Sequence, residues 1–353
     1  MITFNVGPSK VYGEVLQYLQ DAYHNQILSI SHRSKEFDAF SQKTLELLHS
    51  KLNIPANYTI LYTGSATESW EILSQDLVMK KSSHFYNGEF GKKWFEYAKY
   101  IHPESKGFSF NENDTLHIAD YDIEDDVEML AFTLNETSTG TQVRETVIEA
   151  AHTKFPDALI AIDTTSCLGG ININYKKYDI IYGSVQKCFG LPAGLGLLIC
   201  SPKAINKANE LGIKGRYNSL LSMVDKIKAY QTNFTPNVLG IYLLNRVLEN
   251  IPNINETDLR IKKQAAEWYD FMPNIKGMGL HITNKEVRSD TVITVKATDE
   301  IVTKIKKEAK TAGIELGSGY GPLKNSTFRI ANFPAISSEE INVLKKFLTS
   351  FSK

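Results

Sequence analysis

The sequence predicts an α/β fold, with a mainly parallel central sheet flanked by helices and a smaller C-terminal α+β domain. Three observations lead there. Apolar runs of strand length, each bounded by polar, Gly or Pro residues, alternate with helical stretches through residues 58–200. The runs 158–162, 179–182 and 195–200 read as buried strands. Polar residues with chemical potential gather just beyond the strand ends: Asp163 after the first run, and Ser184, Gln186 and Lys187 after the second. Open parallel sheets bind ligands at the C-terminal ends of their strands. Asp and Lys are seldom buried unless paired or used, so Asp163 and Lys187 are the candidate reaction centre.

Taken in order, ITFNVGPSKVYGEVLQYLQDAY reads as an extended arm, a Gly7-Pro8 turn and a helix with Val11, Val15, Leu16 and Leu19 on one face. A polar cluster at 31–35 opens an amphipathic helix on Phe37, Phe40, Leu45 and Leu48, with His32 and Arg33 at its start. The strand 58–63 runs into GSATES, where Ser65 and Glu68 have capping-box spacing ahead of a helix on Trp70, Leu73 and Leu77. The N–H groups and dipole of such a helix start favour a phosphate, and capping alone accounts for the same residues.

A short strand at 84–86 leads to a Gly turn, Phe90 and a helix. The strand 129–134 stops at NETSTGTQ, and a helix covers 145–154. After Cys200 the chain is helical, with polar interruptions at KGRYNS and QTNFTPN, then the helix GIYLLNRVLENI. Beyond Pro252 the units shorten: helices at 262–271, 301–311 and 338–350, and strand-like runs at 291–295 and 328–330. The expected organisation is an N-terminal arm (1–13) packing on the small domain, a large domain (14–252) and a small C-terminal domain (253–353).

Composition narrows the function. A chain of 353 residues with 42% hydrophobic and 22% charged residues can bury a large core. Its formal net charge of −1 argues against nonspecific nucleic-acid binding, and the lysine-rich stretch 304–310 reads as a solvated helix face. Cys167, Cys188 and Cys200 form no metal-ligand cluster, and so sparse a set suits a reducing compartment better than a disulfide framework. No apolar run approaches the roughly 18 residues of a membrane span, and MITFNVGPSK lacks signal-peptide features, so a cytoplasmic location is expected.

GSVQKCFGLPAGLGLLI, preceded by AIDTTS, resembles the cofactor lysine and its preceding aspartate in class V, fold-type I pyridoxal-phosphate aminotransferases. SISHRSKEF and NFTPNVLGIYLL draw the likeness towards the phosphoserine branch, while GSAT, NETSTG and FRIANF are also similar to the alanine:glyoxylate branch. The likeness covers nearly the whole chain, in the expected order.

The resemblance implies pyridoxal 5'-phosphate (PLP) as cofactor and ping-pong transamination through a Schiff base on Lys187, the lysine also moving the substrate Cα proton. Asp163 would keep the pyridine nitrogen protonated, so that the ring serves as an electron sink. Ser65, Ala66 and Thr67, with Gln186, would hold the phosphate, and Thr137 would contact the phenolic oxygen. Phe90 stands where the family has a ring-stacking aromatic, usually Trp. Asn233, Phe234 and Thr235 would reach the partner subunit's phosphate, which implies a homodimer with shared sites. They equally suit a helix N-cap before Pro236. Arg329 would grip the substrate α-carboxylate with its planar fork. His32 and Arg33 would meet a distal phosphate or carboxylate from the neighbouring subunit.

The implied substrates are phosphoserine and 2-oxoglutarate, in serine biosynthesis. The chain departs from that pattern in two places. Thr67 stands near the family's cofactor-loop arginine, and GSGYGPLKNSTF lacks a His-Arg pair, leaving Lys324 as the nearby cation. The alternative is therefore a class V transaminase of a small amino acid, alanine or serine with glyoxylate or pyruvate. A cysteine desulfurase needs a loop cysteine near the substrate arginine, and none follows Cys200. The Gly317, Gly319 and Gly321 run lacks the spacing and preceding strand of a nicotinamide site.

Overall fold

Apart from a two-stranded hairpin, the chain divides its strands between two sheets with separate cores, as seen in a computed structural model that describes residues 1–351. Strand β1 (Ile2–Phe4) opens the chain, followed by β2 (Thr59–Thr63), β3 (Ser82–Tyr86), β4 (Lys106–Ser109) and β5 (Met129–Thr133). A small hairpin, β6 (Asn135–Glu136) and β7 (Thr141–Gln142), precedes β8 (Leu159–Asp163), β9 (Ile180–Ser184) and β10 (Gly196–Cys200). The C-terminal part supplies β11 (Gly279–Leu280), β12 (Val292–Lys296), β13 (Ile314–Ser318) and β14 (Thr327–Ala331).

Among the described residues, the larger sheet has seven strands in the order β2-β10-β9-β8-β5-β3-β4. Its pairings are parallel except those of β10, which runs against both β9 and β2. The central strands β5, β8, β9 and β10 are buried at every position, as continuous apolar runs covered on both faces should be. Parallel pairing brings Thr133, Asp163 and Ser184 to one edge. Close packing at that edge forces Gly196 in β10: a Cβ there would lie 2.3 Å from Thr63 Oγ1 and 2.7 Å from the Ser65 carbonyl carbon.

The smaller sheet has the order β1-β13-β14-β12-β11, with β1 parallel to β13 through Ile2 opposite Ile314. The N-terminal arm is thus a strand of the C-terminal sheet. The second core joins Phe4 and Val6 from the arm with Trp268, Phe328, Ile330 and Leu344, and includes Cys188, the residue after Lys187. The helix Ile254–Phe271 starts against the first core at Ile254 and ends against the second at Trp268.

The first helix corrects the sequence reading. It runs Val15–His24 and buries Val15, Tyr18 and Ala22, so Val11 precedes it. Leu16 is 66% exposed and Leu19 38%. The buried residues follow an i, i+3, i+7 stripe, while Leu16, Leu19 and Tyr23 form a second apolar stripe facing outward. The strand Lys106–Ser109, a partly exposed edge, had no apolar signal.

Phe4 is fully buried in the second core although it lies on a three-residue strand. Phe4→Ala is expected to cost about 3–5 kcal/mol, as other buried aromatic truncations do. The measurement is the denaturant midpoint of the small-sheet transition; an unchanged midpoint would mean that the arm does not stabilise that core.

Candidate active site

The strand ends and the loops after them enclose a cavity of about 300 Å³. Ser65, Ala66, Thr67, Phe90, Thr137, Asp163, Gln186, Lys187 and Arg329 all line it, so the structure brings together nine residues singled out from the sequence.

Lys187 follows β9 and is buried, its Nζ donating to Thr137 Oγ1 at 2.8 Å. The arm passes over it: a Cβ on Gly7 would come within 3.0 Å of Lys187 Cε. Burial lowers the lysine from its ordinary 10.5 to about 8, against the raising influence of Asp163 and Glu136, with Arg329 adding to the fall. Asp163, the last residue of β8, accepts from the Thr165 N–H at 2.8 Å. Burial raises its pKa, while the Thr165 hydrogen bonds, Lys187 and Tyr182 oppose the rise. Among the described residues, these two buried groups form no ion pair with each other or with any third group.

One end of the cavity is formed by the start of the helix Ala66–Leu77. Ser65 is its N-cap, with Oγ accepting from Glu68 N at 3.1 Å, and Ala66 N donates to Ser184 Oγ at 3.0 Å. The capping box is only half formed, because the Glu68 carboxylate accepts from Gly64 N at 2.6 Å instead of returning to Ser65.

Arg329, on β14 of the other sheet, reaches across to the same cavity. Its Nε donates to the Ser318 carbonyl and its Nη1 to the Thr137 carbonyl, both at 2.7 Å. The rest of the guanidinium fork is left for the cavity. Burial lowers its pKa to about 10, with Glu136 and Tyr320 opposing.

Glu136 went unnoticed in the sequence although it lies inside NETSTG. It is buried and accepts from Ser138 N (2.8 Å), Ser138 Oγ (2.6 Å), Gly91 N (3.0 Å) and Phe90 N (3.2 Å). A carboxylate on a helix N-terminus is favourably placed, and this one anchors the helix Glu89–Ile101 that carries Phe90. Gly88 is required there, since a Cβ would sit 2.4 Å from Glu136 Cγ. Phe90 stacks on Tyr320 with ring centroids 5.2 Å apart, and Lys187 Nζ lies 5.3 Å from its centre. Tyr320, also missed, stands among glycines that carried no such signal.

Four expected site residues lie elsewhere on the chain. Arg33 donates to Gln231 Oε1 at 3.0 Å and to the Thr232 carbonyl at 2.6 Å, so His32 and Arg33 neighbour the segment holding Asn233 and Thr235. Thr235 is exposed, and the Asn233 amide donates to the Tyr217 carbonyl. None of the four lines the cavity. The N-cap reading of 233–235 is corrected: the helix Val238–Asn250 is capped by Asn237, whose Oδ1 accepts from Gly240 N at 2.8 Å. Lys324 is exposed and also outside the cavity.

The chain matches the family model described as aminotransferase class-V over residues 3–331. The phosphoserine aminotransferase of Rhodococcus opacus is 29% identical over 97% of this chain and 93% of its own length. A solved phosphoserine aminotransferase from Cytophaga hutchinsonii superposes with a TM-score of 0.95 at 34% identity, covering 99% of this chain and 98% of that one. An aspartate aminotransferase from Thermus thermophilus shares the fold, with a TM-score of 0.88 at 21% identity over 99% of each chain. A buried amine and a buried carboxylate facing one cavity between two sheets are what this family's chemistry needs, and the chain belongs to the class V aminotransferases as a PLP-dependent transaminase.

Proposed function

We propose that this transaminase converts phosphoserine and 2-oxoglutarate to 3-phosphohydroxypyruvate and glutamate, a step of serine biosynthesis. Support for the substrate comes from the relatives named phosphoserine aminotransferase, which match along 97% of the chain. The observation that carries the reaction is the buried pair Lys187 and Asp163, facing one cavity without an ion pair between them.

The residues present fit PLP. Among the described residues, Thr133 Oγ1 is buried without a partner and belongs to a residue lining the cavity, which suits a polar ligand. A neutral amine suits the cofactor's aldehyde, and a buried carboxylate suits a protonated ring nitrogen. When bound, PLP supplies an electrophilic carbon and a ring that accepts electrons from the substrate Cα.

The protein's own groups do the rest. The start of the helix Ala66–Leu77, with Ser65, Thr67 and Gln186, would receive the phosphate, and Phe90 would lie against the ring. Asp163 would hold the ring nitrogen and Thr137 the phenolic oxygen. Arg329 fixes the substrate carboxylate, which orients the Cα proton towards Lys187 Nζ. With its pKa near 8 this lysine is readily neutral, so it can take that proton and return it.

We further propose a homodimer. The stripe of Leu16, Leu19 and Tyr23, with Leu28 51% exposed beside it in sequence, is an apolar surface suited to a second copy. His32, Arg33, Asn233 and Thr235 cluster on one chain away from its own cavity, so a partner's site is where they act. We read residues 1–13, 14–252 and 253–353 as arm, large domain and small domain. The three free, buried cysteines suit a cytoplasmic setting; no described helix is long and apolar enough to cross a membrane. A second reading, transamination of alanine or serine with glyoxylate or pyruvate, is favoured by one observation: Lys324 contributes no charge to the cavity.

Adding PLP to the purified protein should produce a visible absorption band that Lys187→Ala abolishes; a wild-type protein that stays colourless sinks the assignment of Lys187. Only a neutral amine attacks an aldehyde, so cofactor uptake by the cofactor-free protein should accelerate up to about pH 8 and then level off. A rate still climbing at the ordinary lysine value of 10.5 would show that burial does not tune this amine. Inactive Lys187→Ala chains mixed with Arg33→Ala chains should recover part of the activity, because one site of each mixed dimer is complete. Absence of recovery, with mixed dimers demonstrated by mass, would remove Arg33 from a shared site.

A further inference from the structure

A donor pair that none of these roles uses stands at the cavity, with Tyr320 in its wall and Lys93 behind Tyr320. Lys93, on the helix Glu89–Ile101, donates to the Tyr320 hydroxyl at 2.8 Å. An ammonium can only give protons, so the phenol oxygen accepts and keeps its own proton for another partner. Among the described residues nothing takes that proton, and Lys93 makes no ion pair.

Tyr320 lines the cavity beside Phe90 and Arg329. Its ring is held by the stack on Phe90, 26° from parallel, and the Arg329 guanidinium lies 5.7 Å from its centre. The Lys93 ammonium lies 5.1 Å from the Tyr320 ring centre and 6.0 Å from that of Phe90. Phe90 therefore has the reactive amine and a second ammonium each within about 6 Å of its ring centre. The Tyr320 hydrogen bond raises the Lys93 pKa, with weaker contributions from Glu89 and Glu96, which keeps the ammonium charged.

We propose that Tyr320 and Lys93 recognise the second anionic group of the amino donor, a phosphate or carboxylate, beside the arginine that takes its α-carboxylate. The proposal rests on the transaminase reading and deepens its substrate class. Lys93, like Lys324, does not itself line the cavity, but it stands behind the hydroxyl of Tyr320, which does. A donor with a distal anion accepts the phenol proton and draws on the ammonium behind it; a donor with a methyl side chain leaves both unused. Hydrogen bonds to charged groups are among the stronger ones, so the discrimination is substantial.

The test is steady-state kinetics of the holoenzyme with phosphoserine, glutamate and alanine as donors. Tyr320→Phe keeps the stack on Phe90 and removes only the hydroxyl; Lys93→Met keeps the stem and removes the charge. In both variants, kcat/KM for phosphoserine or glutamate relative to alanine should fall by about tenfold or more, chiefly through KM. The cofactor absorbance checks that each variant still holds PLP. Equal losses for all three donors, or no loss, overturn the proposal. If the wild type uses glutamate and rejects phosphoserine, the phosphoserine reading fails, while the glutamate-to-alanine ratio still decides the role of Tyr320 and Lys93. A wild type that turns over alanine alone overturns both.

Discussion

Lys187 and Asp163 are kept out of water without an ion pair, and most of the surrounding architecture follows from what that arrangement demands. Isolated buried charges cost several kcal/mol each. Both groups respond by shifting towards their neutral forms, the lysine down and the aspartate up. The lysine donates a short hydrogen bond to Thr137, and the aspartate accepts one from the Thr165 N–H. Glu136 and Arg329 add a second buried anion and cation to the same region, so that four desolvated groups share one small volume. A bound cofactor with a protonated nitrogen at one end and an aldehyde at the other answers both demands at once.

The site can exist only where the two sheets meet. Lys187 comes from the large sheet's edge, yet its neighbour Cys188 packs in the small sheet's core. Arg329 comes from the small sheet, yet its guanidinium is held by the Thr137 carbonyl, whose side chain also holds Lys187. The N-terminal arm pairs with β13 and then crosses above Lys187 at Gly7. Movement of one sheet against the other would therefore displace Arg329 and Lys187 together.

Sequence reading located the central strands to within about a residue because they are unbroken apolar runs ending in polar residues, the pattern of a covered parallel sheet. It missed β4 and β13, whose short, partly exposed sequences carry no such pattern. It also grouped Leu16 and Leu19 with Val15 on one face, because hydrophobicity marks apolar positions without saying which of them meet the chain's own core and which remain at the surface. Glu136 was passed over because its four donors come from its own turn and from a helix start more than forty residues earlier.

Fold class and the candidate centre at Asp163 and Lys187 were determined by the sequence itself, through local apolar runs and the residues that end them, and the resemblance of those motifs to class V aminotransferases implied the reaction type and cofactor. The grouping of Arg329, Tyr320 and Lys93 around Phe90 was decided only by the tertiary structure. Those residues come from distant strands and helices, and their chemistry depends on distances of a few ångströms that spacing along a chain does not encode. The candidate reaction centre is therefore local in the sequence, whereas the side chains gathered around Tyr320 come from across the fold.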